Sequence, residues 1–418
     1  MSEKKLKILL INVFFHIEGG ADTAFFNTAE LLTEKGHEVI YFCMHHPRNK
    51  LTKFNKYFVS YIDLKKPINF RQKLRIILRL FWSFDTNRKL EDLIKKEKPD
   101  MAHIHNIHFE ISPSILFVLK KHKIPIVMTL HDYVLVCPLR LMFVKDEICE
   151  NCKGGSFLKV IKNKCIRNSF LASLIVYLSF LFHTILKTFS KIDLFIAPSN
   201  FLANKFKEMD SQYKIIVINN CFRPFNINDE LSNHEKVIIY FGRLEYYKGI
   251  DMLIEAVNGL DIILKIIGSG SIEEIIQKKI KEQKIKNVVF LGYMNQKQLV
   301  EEIKKCLFTV VPSFCYEIYP YSILESFSIS KPVIGSNIGG ITELIKDGER
   351  GLIFEYRKIE SLRTKIKILV HNQQLLLQMG ANARRWVIEN HNFDKHYNSL
   401  NSVYNKCVKS NKDFKENY

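Results

Sequence analysis

Short, unbroken apolar runs recur along the whole chain, separated by longer stretches with a helical repeat. KILLINVFF, EVIYFCM, MAHIHNI, IPIVMTLHD and LFIAPS fall in the first half; VIIYFGR, LKIIGSG, VVFLGY, LFTVVPS and KPVIGS fall in the second. A strand buried on both faces reads as a continuous apolar run, and strands spaced by helical stretches imply βαβ units and parallel sheets. Two such series predict an α/β protein with two Rossmann-like, doubly wound domains. The expected boundaries are 1–218 and 219–390, with the seam near 219–235, where NNCFRPFNINDELSNHEK is polar and rich in turn residues. A last helical pattern runs from about Gln378 to Val408 and carries Trp386, Phe393 and Tyr397, so residues 391–418 are expected to pack back on the first domain.

The length of 418 residues suits two domains, and 47% hydrophobic with 25% charged residues suits a globular protein with ample core. The start, MSEKKLKILLINVFF, is charged and then briefly apolar, without a small-residue cleavage site, so it reads as a first buried strand and not a leader. Nine scattered cysteines, an odd number, point to a reducing compartment, the cytoplasm. The formal net charge is +19, and residues 1–200 supply 31 Lys and Arg against 18 Asp and Glu, or +13. An anionic partner is implied. Nucleic acid is disfavoured because basic–aromatic repeats and zinc-finger spacing are lacking; an anionic membrane surface or a phosphorylated substrate remains.

Ligands of doubly wound sheets bind beyond the carboxyl ends of the strands. At those positions the sequence places Gly19 and Gly20, in HIEGGADTAFF, opening a helix whose N-terminus favours an anion. This lacks the three spaced glycines of a dinucleotide fingerprint, and a plain tight turn explains it equally well. GRLEYYKG follows another strand: Gly242 gives room, while Arg243 and Lys248 place two cations for phosphate. In CYEIYPYSILES, Glu317 precedes Pro320 and Glu325 lies inside the helix that Pro320 should start. Their carboxylates are separated by roughly 8 Å along the helix axis. That spacing suits the two ends of an extended, polyhydroxylated ligand better than a shared proton or metal ion. One carboxylate would take ribose hydroxyls and the other sugar hydroxyls, with Arg243 and Lys248 neutralising a diphosphate between them. The helix start at Tyr321 and Ser322 adds free N–H groups. Downstream, Gly339 and Gly340 repeat the strand–glycine–helix pattern before Glu343, and again would let a ligand approach. In the first half His131, in TLHDY, sits at a strand end, with His105 and Asn106 in HIHN as weaker candidates.

GRL-x4-KG, the Glu-x7-Glu stretch with its proline, PVIGSNIGG-x2-E and DGERGLIF occur in an order and spacing that resembles the retaining, nucleotide-sugar-dependent glycosyltransferases of family 4. The resemblance extends over nearly the whole chain, through HDY, APSNF and VINN. It implies the GT-B architecture, two Rossmann-like domains facing across a cleft, with the nucleotide-sugar donor bound chiefly by the second domain and the acceptor by the first. It implies that Arg243 and Lys248 bind the diphosphate, Glu325 the ribose and Glu317 the transferred sugar, and that His131 lies near the reacting sugar. No metal or other cofactor is obligatory in it, the nucleotide-sugar being a substrate. A hexosyl-type sugar would pass from a UDP- or GDP-sugar to a lipid-linked or cell-surface polysaccharide acceptor with retention, by front-side attack. A small soluble acceptor, or a non-catalytic donor-binding subunit, are the alternatives. Where family members often carry small residues after the first glutamate, this chain has Ile318 and Tyr319.

Three further segments stand outside that pattern. Cys137, Cys149, Cys152 and Cys165, in an insert over 137–165, could form a structural zinc site, although only Cys149 and Cys152 have standard spacing. KKPINFRQKLRIILRLFW, residues 65–82, predicts a basic amphipathic helix for an anionic membrane surface or for packing on the sheet. SFLASLIVYLSFLFHTILKTF, residues 169–189, is interrupted by serines and His183 and predicts a buried or interfacial helix, not a span. The protein is therefore expected on the inner face of the cell membrane, as a peripheral protein.

Overall fold

The computed structural model describes residues 5–61, 70–210, 212–225 and 236–416; residues 65–69 of the basic segment and 226–235 of the seam lie outside them. The chain forms two compact units. One comprises residues up to Met142, Glu150–Cys221 and the chain from Phe393; the other comprises Phe143–Cys149 and Phe222–Asn392.

The first unit holds a six-stranded sheet built from Lys7–Ile11 (β1), Glu38–Phe42 (β2), Met101–Ile104 (β3) and Ile126–Thr129 (β4). After a two-residue-per-strand hairpin, Phe143–Val144 (β5) and Glu147–Ile148 (β6), which belongs to the second unit, come Leu194–Ala197 (β7) and Ile215–Val217 (β8). The order is β2-β1-β3-β4-β7-β8, and every neighbouring pair is parallel. The second unit holds Val237–Phe241 (β9), Ile263–Ile267 (β10), Val288–Gly292 (β11), Phe308–Val311 (β12), Val333–Ser336 (β13) and Gly351–Phe354 (β14). Its order is β11-β10-β9-β12-β13-β14, again all parallel. Both are Rossmann-like sheets.

Central strands such as β3, β4, β9 and β12 are buried along their whole length, which is why each reads as an unbroken apolar run. The order reverses between β1 and β3 in one sheet and between β9 and β12 in the other. At such a reversal the flanking loops diverge and leave a crevice beyond the carboxyl ends. The single helical pattern expected over 378–408 is two helices, Gln373–Asn390 and Phe393–Glu416, broken at His391–Asn392. The second packs in the first unit, where Tyr397 Oη meets His37 Nε2 at 2.9 Å and Tyr404 Oη meets His103 Nδ1 at 2.6 Å.

Candidate active site

In the second unit, the loops after β9 and β12 flank the reversal of strand order. The loop after β9 runs from Gly242 into the helix Ile250–Val257, and Tyr240 Oη donates to the Arg243 carbonyl at 2.7 Å, fixing its start. Gly249 has φ +71°, and a Cβ there would lie 2.0 Å from the Pro312 carbonyl oxygen. This glycine lets the β9 loop close onto the β12 loop and so brings Lys248 to Glu317. Lys248 Nζ donates to Glu317 Oε1 at 2.5 Å, and Ser313 Oγ donates to the same oxygen at 2.6 Å. The two side chains are largely buried, 18% and 13% exposed.

Burial alone would raise the Glu317 pKa. The charge and hydrogen bond of Lys248, with the Ser313 hydroxyl, outweigh it and hold the carboxyl below its ordinary value. Burial likewise opposes the charge on Lys248, but the facing Glu317 carboxylate raises its pKa above the ordinary lysine value. Both groups are charged at neutral pH. Glu325, five residues into the helix Tyr321–Ser328, is half-buried without such a cation, and burial pushes its carboxyl up to about 7. Arg243 is exposed, Tyr321 is buried and Ser322 half-buried. Pro320 stands at the cap position and the helix begins at Tyr321.

Gly339 and Gly340 do something other than admit a ligand. Gly339 has φ +60°, and a Cβ on either residue would lie 2.7 Å from the Glu317 carbonyl oxygen or 2.0 Å from that of Ile318. The Gly340 N–H donates to the Glu317 carbonyl at 2.6 Å. These glycines are seats for the 316–318 backbone and hold Glu317 in place. Tyr319 is buried, with its hydroxyl 3.0 Å from His391 Nε2, and so anchors the loop. Sequence reasoning missed Ser313, whose signal is its position four residues before Glu317 on the same strand-end loop.

The first unit gathers histidines at the carboxyl ends of β3 and β4. His131 Nε2 lies 2.9 Å from His105 Nδ1, with the rings stacked at 5.1 Å and 13°. His103, two residues before His105, bonds Thr129 Oγ1 at 2.7 Å and Tyr404. Burial drives the pKa of His131 down to about 4 and that of His103 to about 3, and puts His105 well below its ordinary value. At neutral pH these imidazoles are uncharged and each can donate one hydrogen bond and accept another. His105, a weaker candidate in the sequence, is the direct partner of His131. Asn106 has a buried Oδ1 with no hydrogen-bond partner.

At the β1 end, Gly19 caps the helix Gly20–Glu34 with an extended backbone. The buried Asp22 carboxylate accepts from Gly19 N at 3.1 Å, Glu18 N at 3.0 Å and Asn12 Nδ2 at 2.8 Å. The Gly19 amide is thus spent on the turn itself, and a Cβ at Gly19 would meet nothing within 4 Å. Among the described residues no group of three or more His, Cys, Asp or Glu side chains is placed to hold a metal ion, and Cys137, Cys149, Cys152 and Cys165 are not gathered into a tetrathiolate.

Residues 18–224 match the family model described as Glycosyltransferase Family 4, and residues 222–386 match that described as Glycosyl transferases group 1. The chain belongs to the GT-B glycosyltransferases of family 4. Among curated relatives, an uncharacterized glycosyltransferase of Methanocaldococcus jannaschii is 28% identical over 194 residues, 46% of this chain and 54% of that protein. The chain thus aligns with only about half of that relative's length. An uncharacterized 42.6 kDa protein in the cps region of Klebsiella pneumoniae is 26% identical over 81% of this chain and 87% of its own. The O-antigen chain mannosyltransferase C of Escherichia coli is 23% identical over 53% and 62%. Two solved structures share the fold. Sucrose-phosphate synthase from Thermosynechococcus elongatus superposes with a TM-score of 0.71 at 16% identity, covering 97% of this chain and 100% of that one. Anabaena HepE in complex with UDP-glucose gives 0.66 at 16%, with the same coverage.

Proposed function

We propose that this glycosyltransferase moves a hexosyl sugar from a UDP- or GDP-sugar to a lipid-linked or cell-surface polysaccharide acceptor, with retention of configuration. The observation that carries the reading is the Lys248–Glu317–Ser313 cluster at the reversal of strand order, with Glu325 one helix turn beyond Tyr321. Arg243 and Lys248 neutralise the donor diphosphate, the Glu325 carboxylate accepts from the ribose diol, and Glu317 holds the transferred sugar. Glu317 is a weakly basic carboxylate tied to a cation and a hydroxyl on one oxygen, which makes it a better anchor than nucleophile. Front-side attack fits this better than double displacement. The bond from anomeric carbon to diphosphate oxygen breaks, the bond to the acceptor oxygen forms on the same face, and the hydroxyl proton passes to the leaving phosphate. The cations stabilise that leaving group, the step at which charge grows most. Uncharged His131, held by His105, hydrogen-bonds sugar or acceptor hydroxyls. No metal is needed in this scheme. A UDP-sugar donor is supported by the HepE complex and a polysaccharide acceptor by the O-antigen relative. The basic first half suits work at the anionic inner face of the cell membrane.

A panel of UDP- and GDP-sugars, assayed for thermal stabilisation and for nucleoside diphosphate release in the presence of a chelator, tests this reading. One donor is expected to stabilise the protein and to be turned over with chelator present. Stabilisation by none of them would refute a donor site, and loss of release with the fold intact would refute the metal-free scheme.

A further inference from the structure

The helix Phe170–Ile185, in the first unit, is inside out. Its buried face consists of Ser173, Val176, Ser179, Phe180 and His183. Its outward face carries Leu171, 64% exposed, Leu178, 42%, Leu181, 40%, and Ile185, 70%. A helix on a water-soluble domain ordinarily does the reverse. The orientation is locked from within. Ser173 Oγ accepts at 3.1 Å from the N–H of Ile166, which precedes the helix. His183 lies 2.7 Å from the Leu80 carbonyl and 3.0 Å from Thr188 Oγ1. Turning the leucines inward would break these bonds and strand buried polar atoms, at a cost for each.

The apolar face continues onto the helix Phe70–Phe81, where Phe81 packs edge-on to Phe182 at 5.6 Å and Leu74 and Leu78 are exposed. Patches of this kind mark a docking surface. Charge says what docks. Residues 151–192 contain seven Lys and Arg and no Asp or Glu. Lys159, Lys162, Lys164 and Lys187, which flank this helix in the chain, are exposed, as is Lys73 on the neighbouring helix, where Arg75 faces Asp85 at 3.7 Å. A second copy docking on the same face would set these cations against their own images. An anionic bilayer would set them against phosphates, with the leucines in the acyl region. At about 1.5 Å per residue this helix is shorter than a hydrocarbon core, and no helix among the described residues is long and apolar enough to cross a membrane.

We propose that the face formed by Phe170–Ile185 and the exposed leucines of Phe70–Phe81 lies flat on an anionic lipid bilayer, apolar side down. The inference rests on the membrane-surface reading given above and is independent of the donor chemistry. Flotation with phosphatidylcholine vesicles, with and without phosphatidylglycerol, tests it. The protein is expected to float with the anionic vesicles about tenfold more than with neutral ones, and less as salt is raised. The triple variant Leu178→Ser, Leu181→Ser, Ile185→Ser is expected to stay in the soluble fraction while retaining its melting temperature and nucleotide-sugar binding. Equal flotation of wild type and variant would place docking elsewhere. Absence of wild-type flotation would overturn the proposal, and so would a concentration-dependent dimer that the variant abolishes without any lipid binding. If donor binding fails while flotation survives, only the transferase reading falls; the converse removes only the docking face.

Discussion

Lys248→Met is expected to lower turnover by about a hundred- to a thousandfold, the range found when one preorganised partner of a developing negative charge is removed. The same change should destabilise the fold, because it leaves the Glu317 carboxylate buried opposite a methyl group. The pH dependence separates the two effects. In the wild type the Glu317 pKa is depressed, so its contribution to stability is present above the ordinary carboxylate range and fades as pH falls through the depressed value. The raised pKa of Lys248 gives a contribution that is present below the ordinary lysine value and fades as pH rises through the raised one. Between those limits the pair stabilises the fold. In the variant, burial governs Glu317 alone and its pKa moves up, so mild acid should stabilise the variant relative to the wild type. Thermal melting across the acid range measures this. Adding Glu317→Gln should recover much of the lost stability but none of the turnover, since the pair couples through a shared contact. A variant that melts normally and turns over normally would remove Lys248 from the site.

Glu325→Ala is expected to weaken nucleotide-sugar binding about a hundredfold or more by calorimetry, as a charged acceptor of two ribose hydroxyls is lost. The half-buried carboxyl also makes affinity depend on pH. Its pKa is pushed up to about 7 by burial, and hydroxyls donating to the carboxylate would favour the ionised form. Affinity for a nucleotide-sugar should therefore rise as pH passes upward through about 7, with a proton released on binding below it. For folding the sign is opposite: the raised pKa stabilises the fold below the ordinary glutamate value, and this is lost as pH rises through about 7. Glu325→Gln should flatten the affinity profile while retaining part of the binding. A flat profile in the wild type would take Glu325 off the ribose.

Much of the architecture could be read from the chain because buried parallel strands leave long apolar runs. Ten strands stand where such runs lie. The three-residue β8 is only partly buried and leaves too short an apolar run, and β14 lies inside DGERGLIF, whose glycines and charges interrupt its apolar residues. Arg243, Lys248, Glu317 and Glu325 were marked by charge at strand ends, since a charge is conspicuous in an apolar setting. That Lys248 and Glu317 bind each other was not legible: it depends on Gly249 closing one loop onto another, 63 residues later in the chain at Pro312. Gly339 and Gly340 looked like ligand seats because sequence cannot distinguish a close-approaching ligand from a close-approaching backbone. The orientation of Phe170–Ile185 was equally hidden. Its apolar side would ordinarily be expected to face inward, and the opposite choice goes with the partners that Ser173 and His183 find outside the helix, at Ile166, Leu80 and Thr188.

Hydrogen–deuterium exchange with and without the donor that stabilises the protein tests the central claim most directly. Binding is expected to slow exchange in peptides covering 242–249 and 313–325. Protection confined to the first unit, or none in these two segments at saturating donor, would contradict a donor site built on Lys248, Glu317 and Glu325.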